Sequence, residues 1–544
     1  MKTIQSPILQ AALSGLLLSA AFPKVGFSWL AWIALVPLLL VLRRQRSGSA
    51  FRIGMIAGLA HYLTLLYWVV FTMRTYGFLP WWQCVGLLLL LSAYLAIYPG
   101  LFALALTRFG KSPVAMVLLA PIFWVGLEYA RSFLLTGFPW GVVGYSQVNR
   151  LLIIQLADMF GVYGVSFLVV SANAVLSALI MAYTRRPWQG HQVTRAWAWQ
   201  SATFFIVLIC LSLVYGNKRI GEMDRALAGT PSNRIAVIQG NIDQARKWDP
   251  AFQISTTKKY LKLTRKAIVQ QPDLVVWPET ATPFYFGASP KLSRLVTDVV
   301  RKTDTHLLLG SPRVQRAPDR QGYYNSAYLL SPDGRAAEWY DKVHLVPFGE
   351  YVPFKRLLSF VGKMVAQVGD FSAGEKGRTL AWGQGFPAIG VQICFEIIFP
   401  ELSRSLVKNG AGVLINLTND AWFGKSSAAY QHFSMTVFRA VENRRSLIRC
   451  ANTGISGFVD PVGRIISRTE LFQDAVVTHS VPQMKETTFY TQIGDFFPLA
   501  CLITLIILVS RPMVQGRIGV VEAFLLKKID RFKQVVRRKT EKRR

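Results

Sequence analysis

Acidic residues are scarce in this chain. Only 29 Asp and Glu accompany 61 Lys and Arg, so the formal net charge is +32 at pH 7. Such an excess suits contact with nucleic acid or with the anionic surface of a membrane. The sequence contains no zinc-knuckle, helix-turn-helix or RNP-like pattern, and we therefore predict no nucleic-acid partner. The charge favours a membrane protein.

Cysteine is equally scarce, with five in 544 residues. The absence of a CxxC pair and of any Cys/His cluster argues against a zinc site, and no glycine-rich phosphate loop is present. Cys84, Cys210 and Cys501 fall in long apolar stretches, where a thiol behaves as a small hydrophobic group. Cys394 and Cys450 lie in a more polar region. A disulfide between them is an alternative, although both end strands that look buried.

Long hydrophobic stretches, in contrast, are abundant. The chain is 52% hydrophobic and only 17% charged, which predicts several membrane spans. The first stretch is short and ends in LLLSAAF, so a cleavable signal peptide is the alternative there. We predict about eight spans, at residues 8–21, 27–42, 53–73, 82–106, 114–134, 160–183, 197–215 and 496–509.

The distribution of Lys and Arg among the connecting loops predicts the orientation of these spans. The loops at 43–52, 108–111 and 185–195 are rich in Arg and Lys, and the tail ends in RRKTEKRR. The alternate loops carry only Lys24, Arg74, Arg131 and Arg150. We therefore expect both termini in the cytoplasm and residues 218–492 on the opposite side of the membrane.

Residues 218–492 have a different rhythm, in which short apolar runs alternate with charged helical segments. This pattern is typical of an α/β sandwich with buried strands. The predicted domains are residues 1–217 with seven spans, 218–492, the eighth span at 493–511, and a basic tail at 512–544. The predicted strands lie within RIAVIQG (234–240), DLVVWPE (273–279), HLLLGS (306–311), NSAYLLS (325–331), AIGVQIC (388–394), GVLINLTND (412–420) and SLIRCANTG (446–454).

Cys394 ends one of these strands, and its position raises the question of a nucleophile. A neutral thiol reacts poorly unless a base or a cation lies beside it. No histidine of this region stands in a recognisable Cys–His signature. Glu279 follows the strand DLVV and Lys342 follows another strand, and the carboxyl ends of strands converge in open α/β sheets. Each residue alone could have an ordinary role, as a rim carboxylate, a solvated lysine or a core thiol.

Three segments carry a family resemblance: WPET (277–280), DKVHLVPFGEYVP (341–353) and CFEIIFPE (394–401). In this order and spacing they resemble the nitrilase superfamily and its Glu-Lys-Cys triad. With spans on both sides, the chain resembles the apolipoprotein N-acyltransferase family of the bacterial inner membrane. Further similar segments are GFPWGVVGYSQ (137–147), QGNIDQARKWDP (239–250), NLTNDAWFG (416–424) and RCANTGISG (449–457).

The resemblance implies a nitrilase-like α-β-β-α sandwich facing the periplasm and a triad of Glu279, Lys342 and Cys394. It implies transfer of an acyl chain from a phospholipid, through a thioester on Cys394, to the α-amine of a diacylglyceryl-apolipoprotein. No metal or diffusible cofactor is implied, and we expect a monomer. Glu350 and Glu396 are expected to hold the lysine and the acceptor amine.

Other residues are expected to contact substrate or lipid, namely Trp248, Phe395, Asn419, Trp422 and Phe423. Phe395 stands where the family leads us to expect tyrosine. The loop that carries Trp422 and Phe423 is a candidate lid or lipid-docking loop, and the glycine-rich segment 362–377 is a candidate second lid. We expect Trp81, Trp82, Phe138 and Trp140 at the membrane interface.

Two other functions remain open from the residues. A membrane-anchored amidase would use the same triad with water as the acceptor. A transporter with an outer ligand-binding domain would need ionisable residues inside the spans, and Glu128 and Asp158 come closest to this.

Overall fold

The computed structural model describes residues 6–317, 320–352, 371–383 and 385–510. The candidate second lid lies largely outside the described residues, as does the basic tail. The described chain forms a helical N-terminal half, a two-sheet α/β half and a final helix.

The N-terminal half is helical throughout. Its helices coincide with the apolar stretches of the sequence. Ser112 and Thr194 cap the helices that follow them. The helices are α1 Pro7–Ala20, α2 Val36–Leu42, α3 Ser47–Leu65, α4 Trp68–Tyr76, α5 Trp81–Phe109, α6 Pro113–Arg131, α7 Leu151–Ile154, α8 Ala157–Tyr183 and α9 Arg195–Ala228.

The number of helices long enough to cross a membrane is smaller than predicted. Within the described residues, α5, α6, α8 and α9 are long and apolar enough, and α3 with α4 would make a fifth span bent by 51°. The other three apolar segments are helical but shorter: α1, residues 28–42 and the final helix, Phe496–Ser510. A helix rises about 1.5 Å per residue against a hydrocarbon core of about 30 Å, so length alone does not establish eight spans.

The predicted boundary at residue 217 falls inside a continuous helix. α9 runs on to Ala228 and ends only before Gly229. It thus enters the α/β half as a rigid element.

The second half is an α-β-β-α sandwich, as predicted. One sheet has the order β11-β1-β2-β3-β4-β5 and the other has the order β10-β9-β8-β7-β6. The strands are β1 Ser232–Gln239, β2 Leu274–Val276, β3 His306–Ala317, β4 Arg320–Leu330, β5 Ala336–Asp341, β6 Ala388–Ile393, β7 Ala411–Thr418, β8 Leu447–Ala451, β9 Gly457–Val459, β10 Ile465–Arg468 and β11 Ala475–Pro482.

Helices cover the outer faces of both sheets. α11 and α12 pair with each other over the first sheet, and α13 and α14 pack on the second. The strands β1, β2 and β3 are mutually parallel, as are β6, β7 and β8. The helices are α10 Gln244–Lys247, α11 Gln253–Ile268, α12 Pro290–Thr303, α13 Pro400–Lys408, α14 Ala428–Asn443, α15 Phe489–Ile493 and α16 Phe496–Ser510.

Buried charges join the two halves. Asp158 at the start of α8 accepts hydrogen bonds from Arg444 at 2.7 Å and from Arg219 at 2.9 Å. Three residues further along, α8 breaks at Gly161 (φ 63°), and the freed N–H of Val162 donates to the Glu442 carboxylate at 3.1 Å. Asp158 therefore anchors the α/β half and does not line a transport path, which removes one support of the transporter alternative.

The segment 137–147 inserts between the halves. Arg131 donates to the carbonyl oxygens of Phe138 and Trp140 at 2.9 and 2.6 Å, and Glu128 accepts from the N–H of Val143 at 2.8 Å. Trp140 is buried, and its indole N–H donates to Gln431 at 2.7 Å. The prediction that Trp140 lies at the membrane interface is therefore wrong, because its polar edge has a partner inside the protein.

The ion pairs of Asp158 predict that removing this carboxylate destabilises the protein more than breaking an exposed ion pair does. Asp158→Asn leaves the buried Arg444 guanidinium without its carboxylate, whereas partly exposed Arg219 keeps Glu222. Breaking a buried pair in this way costs about 3–5 kcal/mol. We expect Tm in detergent to fall by several degrees. As the matched control, Asp224→Asn breaks an exposed pair with Arg464 (side chains 46% and 37% exposed). That change costs about 0–1 kcal/mol. Equal Tm losses in the two variants would contradict the stabilising role of the Asp158 ion pairs.

Candidate active site

Cys394 stands on a strained turn at the end of a buried strand. β6 ends at Ile393, and Cys394 begins the short 3₁₀ helix Cys394–Ile398 with φ of 54°, in the left-handed region. A non-glycine residue in this region costs free energy and persists only where its surroundings hold it there. The residue is 9% exposed, so its thiol lies at the base of a nearly closed site.

Glu396 holds this turn. Its fully buried carboxylate accepts hydrogen bonds from the N–H groups of Ile393 (2.6 Å), Val343 (2.6 Å) and His344 (3.1 Å). The Tyr340 hydroxyl donates to it at 3.0 Å. Glu396 was expected to hold the acceptor amine, but its oxygens are occupied by the protein. The carboxylate instead fastens the cysteine turn to the loop after β5.

That loop carries Lys342, which lies in a cluster of buried charges. Its ammonium contacts the Glu350 carboxylate at 2.9 Å and the Glu279 carboxylate at 3.9 Å. Asn325 donates to both carboxylates, at 2.8 Å for Glu279 and 3.0 Å for Glu350. The expectation that Glu350 holds the lysine agrees with this geometry. Asn325 was not anticipated, since its only signal is a polar residue in a buried strand.

The three predicted catalytic residues come from both sheets. Glu279 follows β2 and Lys342 follows β5 in one sheet, whereas Cys394 follows β6 in the facing sheet. Glu279 and Lys342 therefore lie at the edge of one sheet, and Cys394 approaches them from the facing sheet. Among the described residues Glu279 Oε2 has no hydrogen-bond partner, which leaves that oxygen free to take a proton.

The resting site disfavours a thiolate. Burial, with the nearby Glu279 carboxylate, raises the pKa of Cys394 to about 12, and Lys342 opposes this shift. Burial also lowers the pKa of Lys342, but Glu350 and Glu279 more than offset it, so the pKa is raised and the ammonium stays charged. Activation of the thiol therefore requires proton transfer to a base at the time of reaction.

Two histidines, His344 and His432, lie near this turn, and burial lowers the pKa of each. The His344 ring packs on Phe399 with centroids 3.8 Å apart, and burial with the nearby Lys342 lowers its pKa to about 4. His432 is buried beside Asp420 and Arg449. In the part of the chain that the structure describes, no group of His, Cys, Asp and Glu could hold a metal ion.

The predicted substrate-binding residues have different surroundings. Phe395 packs against Phe138 of the membrane half with ring centroids 6.5 Å apart, and Trp248 is half-buried after α10. Asn419 is buried, and its amide bonds Gln244 at 2.6 Å and Asn452 at 3.1 Å. The polar atoms of Asn419 are thus already paired, and the side chain ties segment 240–248 to the sheet.

The loop that carries Trp422 and Phe423 rests on α4. The Trp422 ring packs on Tyr76 with centroids 4.9 Å apart, and the Phe423 ring packs on Trp68 at 4.9 Å. Thr72 donates to the Trp422 carbonyl at 2.8 Å. The structure therefore places this loop at the junction with a membrane helix, where the sequence predicted a lid or a docking loop.

Sequence reasoning missed Lys247, which immediately precedes Trp248. The residue is 2% exposed, and its ammonium donates to the backbone carbonyl of Glu279 at 3.1 Å. Nothing in the local pattern separates it from the many solvated lysines of this chain. Its position within the family-like segment 239–250 was the only signal available.

The charge arrangement predicts how Cys394 reacts with iodoacetamide. Because its pKa is far above neutrality, we expect the alkylation rate to rise about tenfold per pH unit from pH 7 to 10 without a plateau. Glu279→Gln removes a carboxylate that raises this pKa, so the variant should be alkylated faster than the wild type. Peptide mass spectrometry measures the rate, with fully buried Cys450 as the unreactive reference. A plateau below pH 8 would contradict the arrangement.

Comparison with known proteins places the chain in a family. The family "Apolipoprotein N-acyltransferase N-terminal domain" matches residues 14–175, and the family "Carbon-nitrogen hydrolase" matches residues 234–488. The second match confirms the predicted nitrilase-like fold of the α/β half.

Full-length relatives agree with these matches. The apolipoprotein N-acyltransferase of Geobacter metallireducens is 47% identical over 91% of this chain and 93% of the relative. The protein of the same name from Methylococcus capsulatus is 32% identical over 90% and 93%, and that from Gloeobacter violaceus is 33% identical over 94% and 95%. The chain therefore belongs to the apolipoprotein N-acyltransferase family.

Proposed function

We propose that this protein transfers an acyl chain from a phospholipid to the N-terminal amine of diacylglyceryl-apolipoproteins. The family membership supports this reaction, and so does the convergence of Glu279, Lys342 and Cys394 in one buried site. One observation carries the choice of a lipid donor. Phe395, next to the nucleophile, packs on Phe138 from the membrane half, so an apolar wall continues from the membrane to Cys394.

The first half-reaction forms a thioester. Glu279 takes the Cys394 proton as the sulfur attacks the ester carbonyl carbon. The C–S bond forms, the C–O bond of the ester breaks, and Glu279 returns the proton to the departing glycerol oxygen. The products are a lysophospholipid and acylated Cys394.

The second half-reaction consumes the thioester. The α-amine of the acceptor attacks the thioester carbonyl, and a C–N bond replaces the C–S bond. Glu279 moves a proton from nitrogen to the leaving sulfur. In both half-reactions, Lys342 and the backbone N–H groups after Cys394 stabilise the oxyanion. Cysteine suits such a two-step transfer because a thiolate is a strong nucleophile and also a good leaving group.

The remaining residues have supporting roles in this proposal. Glu350 holds Lys342, and Glu396 holds the turn that presents Cys394. Trp422 and Phe423, which rest on α4, contact lipid or lipopeptide beside the site, and Trp248 lines the same site. No cofactor enters the reaction.

The location follows from the distribution of basic loops. We place the protein in the bacterial inner membrane, with both termini in the cytoplasm and the α/β half in the periplasm. Eight apolar segments cross the membrane in this arrangement. The three shorter helical segments are among them. The acceptor lipoproteins are periplasmic, and the enzyme acts as a monomer.

The test of the reaction is mass spectrometry of the intact protein after exposure to phospholipid. We expect an acyl adduct on Cys394 and, after addition of a diacylated lipopeptide, loss of the adduct with formation of a triacylated product. Cys394→Ser should form no adduct, because an alkoxide is far harder to generate than a thiolate. Glu279→Gln should also fail at this step. Release of free fatty acid, with no triacylated product, would favour the amidase alternative.

Reporter fusions test the orientation. Fusions after Arg44 and Arg186 should read cytoplasmic, and a fusion after Gly229, at the end of α9, should read periplasmic. The activities of a cytoplasmic and a periplasmic reporter at each site give the measurement. A periplasmic reading at Arg186 would place the catalytic half on the wrong side of the membrane.

A further inference from the structure

The cation assigned to the oxyanion already has partners. Lys342 contacts Glu350 at 2.9 Å and Glu279 at 3.9 Å, so two carboxylates share its charge. The buried groups Glu279, Glu350 and Lys342 together carry a net charge of −1 when ionised. When Glu279 takes the Cys394 proton and an oxyanion forms, this total stays at −1, and the negative charge moves from Glu279 to the reacting oxygen. Such a site needs a further positive group, since an uncompensated buried charge is costly.

Lys247 is the group in the right place. In the part of the chain that the structure describes, its ammonium has no carboxylate partner, and its hydrogen bond goes to the Glu279 carbonyl at 3.1 Å. It is 2% exposed. Its electrostatic neighbours are Glu279 and Cys394, which approach from the ends of β2 and β6. The charged side chains on its own segment, Asp243, Arg246 and Asp249, are exposed to solvent.

The segment that carries Lys247 is held firmly. Asn452, after β8, accepts from the N–H of Ile242 at 2.9 Å and donates to its carbonyl at 2.8 Å. Asn419, after β7, donates to Gln244 at 2.6 Å. Two strand ends of the sheet that bears Cys394 therefore fix the position of a lysine next to Glu279. A flexible surface lysine would not be fastened in this way.

We propose that Lys247 is a second cation of the acyl-transfer site, which holds the Glu279 turn and stabilises the negative charge that develops beside Cys394. The proposal rests on the acyl-transfer function and adds a residue to it. With Lys247 charged, the charges of Glu279, Glu350, Lys342 and Lys247 sum to zero before reaction and, with the oxyanion included, also in the transition state. Lys342 then maintains the carboxylate pair, and Lys247 contributes the uncommitted charge.

This role has a pH signature. Burial lowers the pKa of Lys247 to about 8, and Glu279 and Cys394 oppose that shift. The cation is therefore present below pH 8 and is lost above it. Lys342 has a raised pKa and stays charged over the same range. We expect the rate of thioester formation in the wild type to fall as pH rises from 8 to 9.5.

The experiment measures thioester formation on the full-length protein with phosphatidylglycerol, whose headgroup charge is constant from pH 6 to 9.5. Lys247→Met should slow the step by about 10²-fold at pH 7, the effect of removing one group that stabilises an oxyanion. It should also lose the decline above pH 8. Lys247→Arg keeps the charge at every pH, so it should react within about threefold of the wild type and remain flat to pH 9.5.

Two controls keep the outcomes distinct. Lys258→Arg, on the exposed face of α11, should match the wild type at every pH. Tm and iodoacetamide labelling of Cys394 report whether each variant is folded. If Lys247→Arg does not fold, the wild type and Lys247→Met decide the question by the presence and absence of the decline. A wild-type rate that stays level through pH 9.5, or full activity in a folded Lys247→Met, would overturn the proposal. Absence of any wild-type thioester would instead contradict the acyl-transfer function itself.

Discussion

The carboxylate of Glu396 is the contact on which the catalytic geometry depends. It binds the N–H of Ile393 on one side and the N–H groups of Val343 and His344 on the other. These groups belong to different sheets, so one side chain sets the distance between the nucleophile turn and the lysine loop. It also offsets the strained φ of Cys394 by fixing the residue before it. A neutral amide at this position could not accept all of these hydrogen bonds with equal strength, because charge-assisted bonds are about twice as strong.

The charged side chains around this contact are fixed by ion pairs and hydrogen bonds. Burial raises the pKa of the thiol, while Glu350 and Asn325 link the charged Lys342 to Glu279, whose carboxylate lies 3.9 Å from the ammonium. The enzyme therefore carries a resting thiol and a separate base, unlike a cysteine enzyme with a preformed ion pair. A resting thiol is less readily alkylated and oxidised than a thiolate. The thiol must therefore lose its proton during the reaction itself.

The sequence predicted the parts of the site that depend on strand pattern. Glu279, Lys342 and Cys394 follow runs of buried apolar residues, and such runs end at a sheet edge where side chains meet. Lys247, Asn325 and the internal pairing of Asn419 could not be predicted in this way. Their roles depend on which polar groups come together after the sheets pack, and local sequence does not encode that. The same reason explains Trp140, since an aromatic residue at a membrane boundary and one at a domain junction have similar sequence contexts. The extension of α9 past residue 217 was missed because Gly216 and the polar residues after it look like the end of a span, whereas the helix continues through Gly216 and Gly221 to Ala228.

The membrane half forms part of the wall of the catalytic site. The buried side chains of Arg131 and Glu128 hydrogen-bond the backbone of segment 137–143. These bonds place Phe138 against Phe395, beside the nucleophile. From the other side, α4 binds the backbone and the rings of residues 421–423. Neither contact would be needed if the spans served only as an anchor. The helical half therefore also fixes side chains around Cys394, by ring contacts and by hydrogen bonds. The membrane helices and the catalytic turn thus form one packed structure, in which Phe138 of the helical half contacts the residue next to the nucleophile.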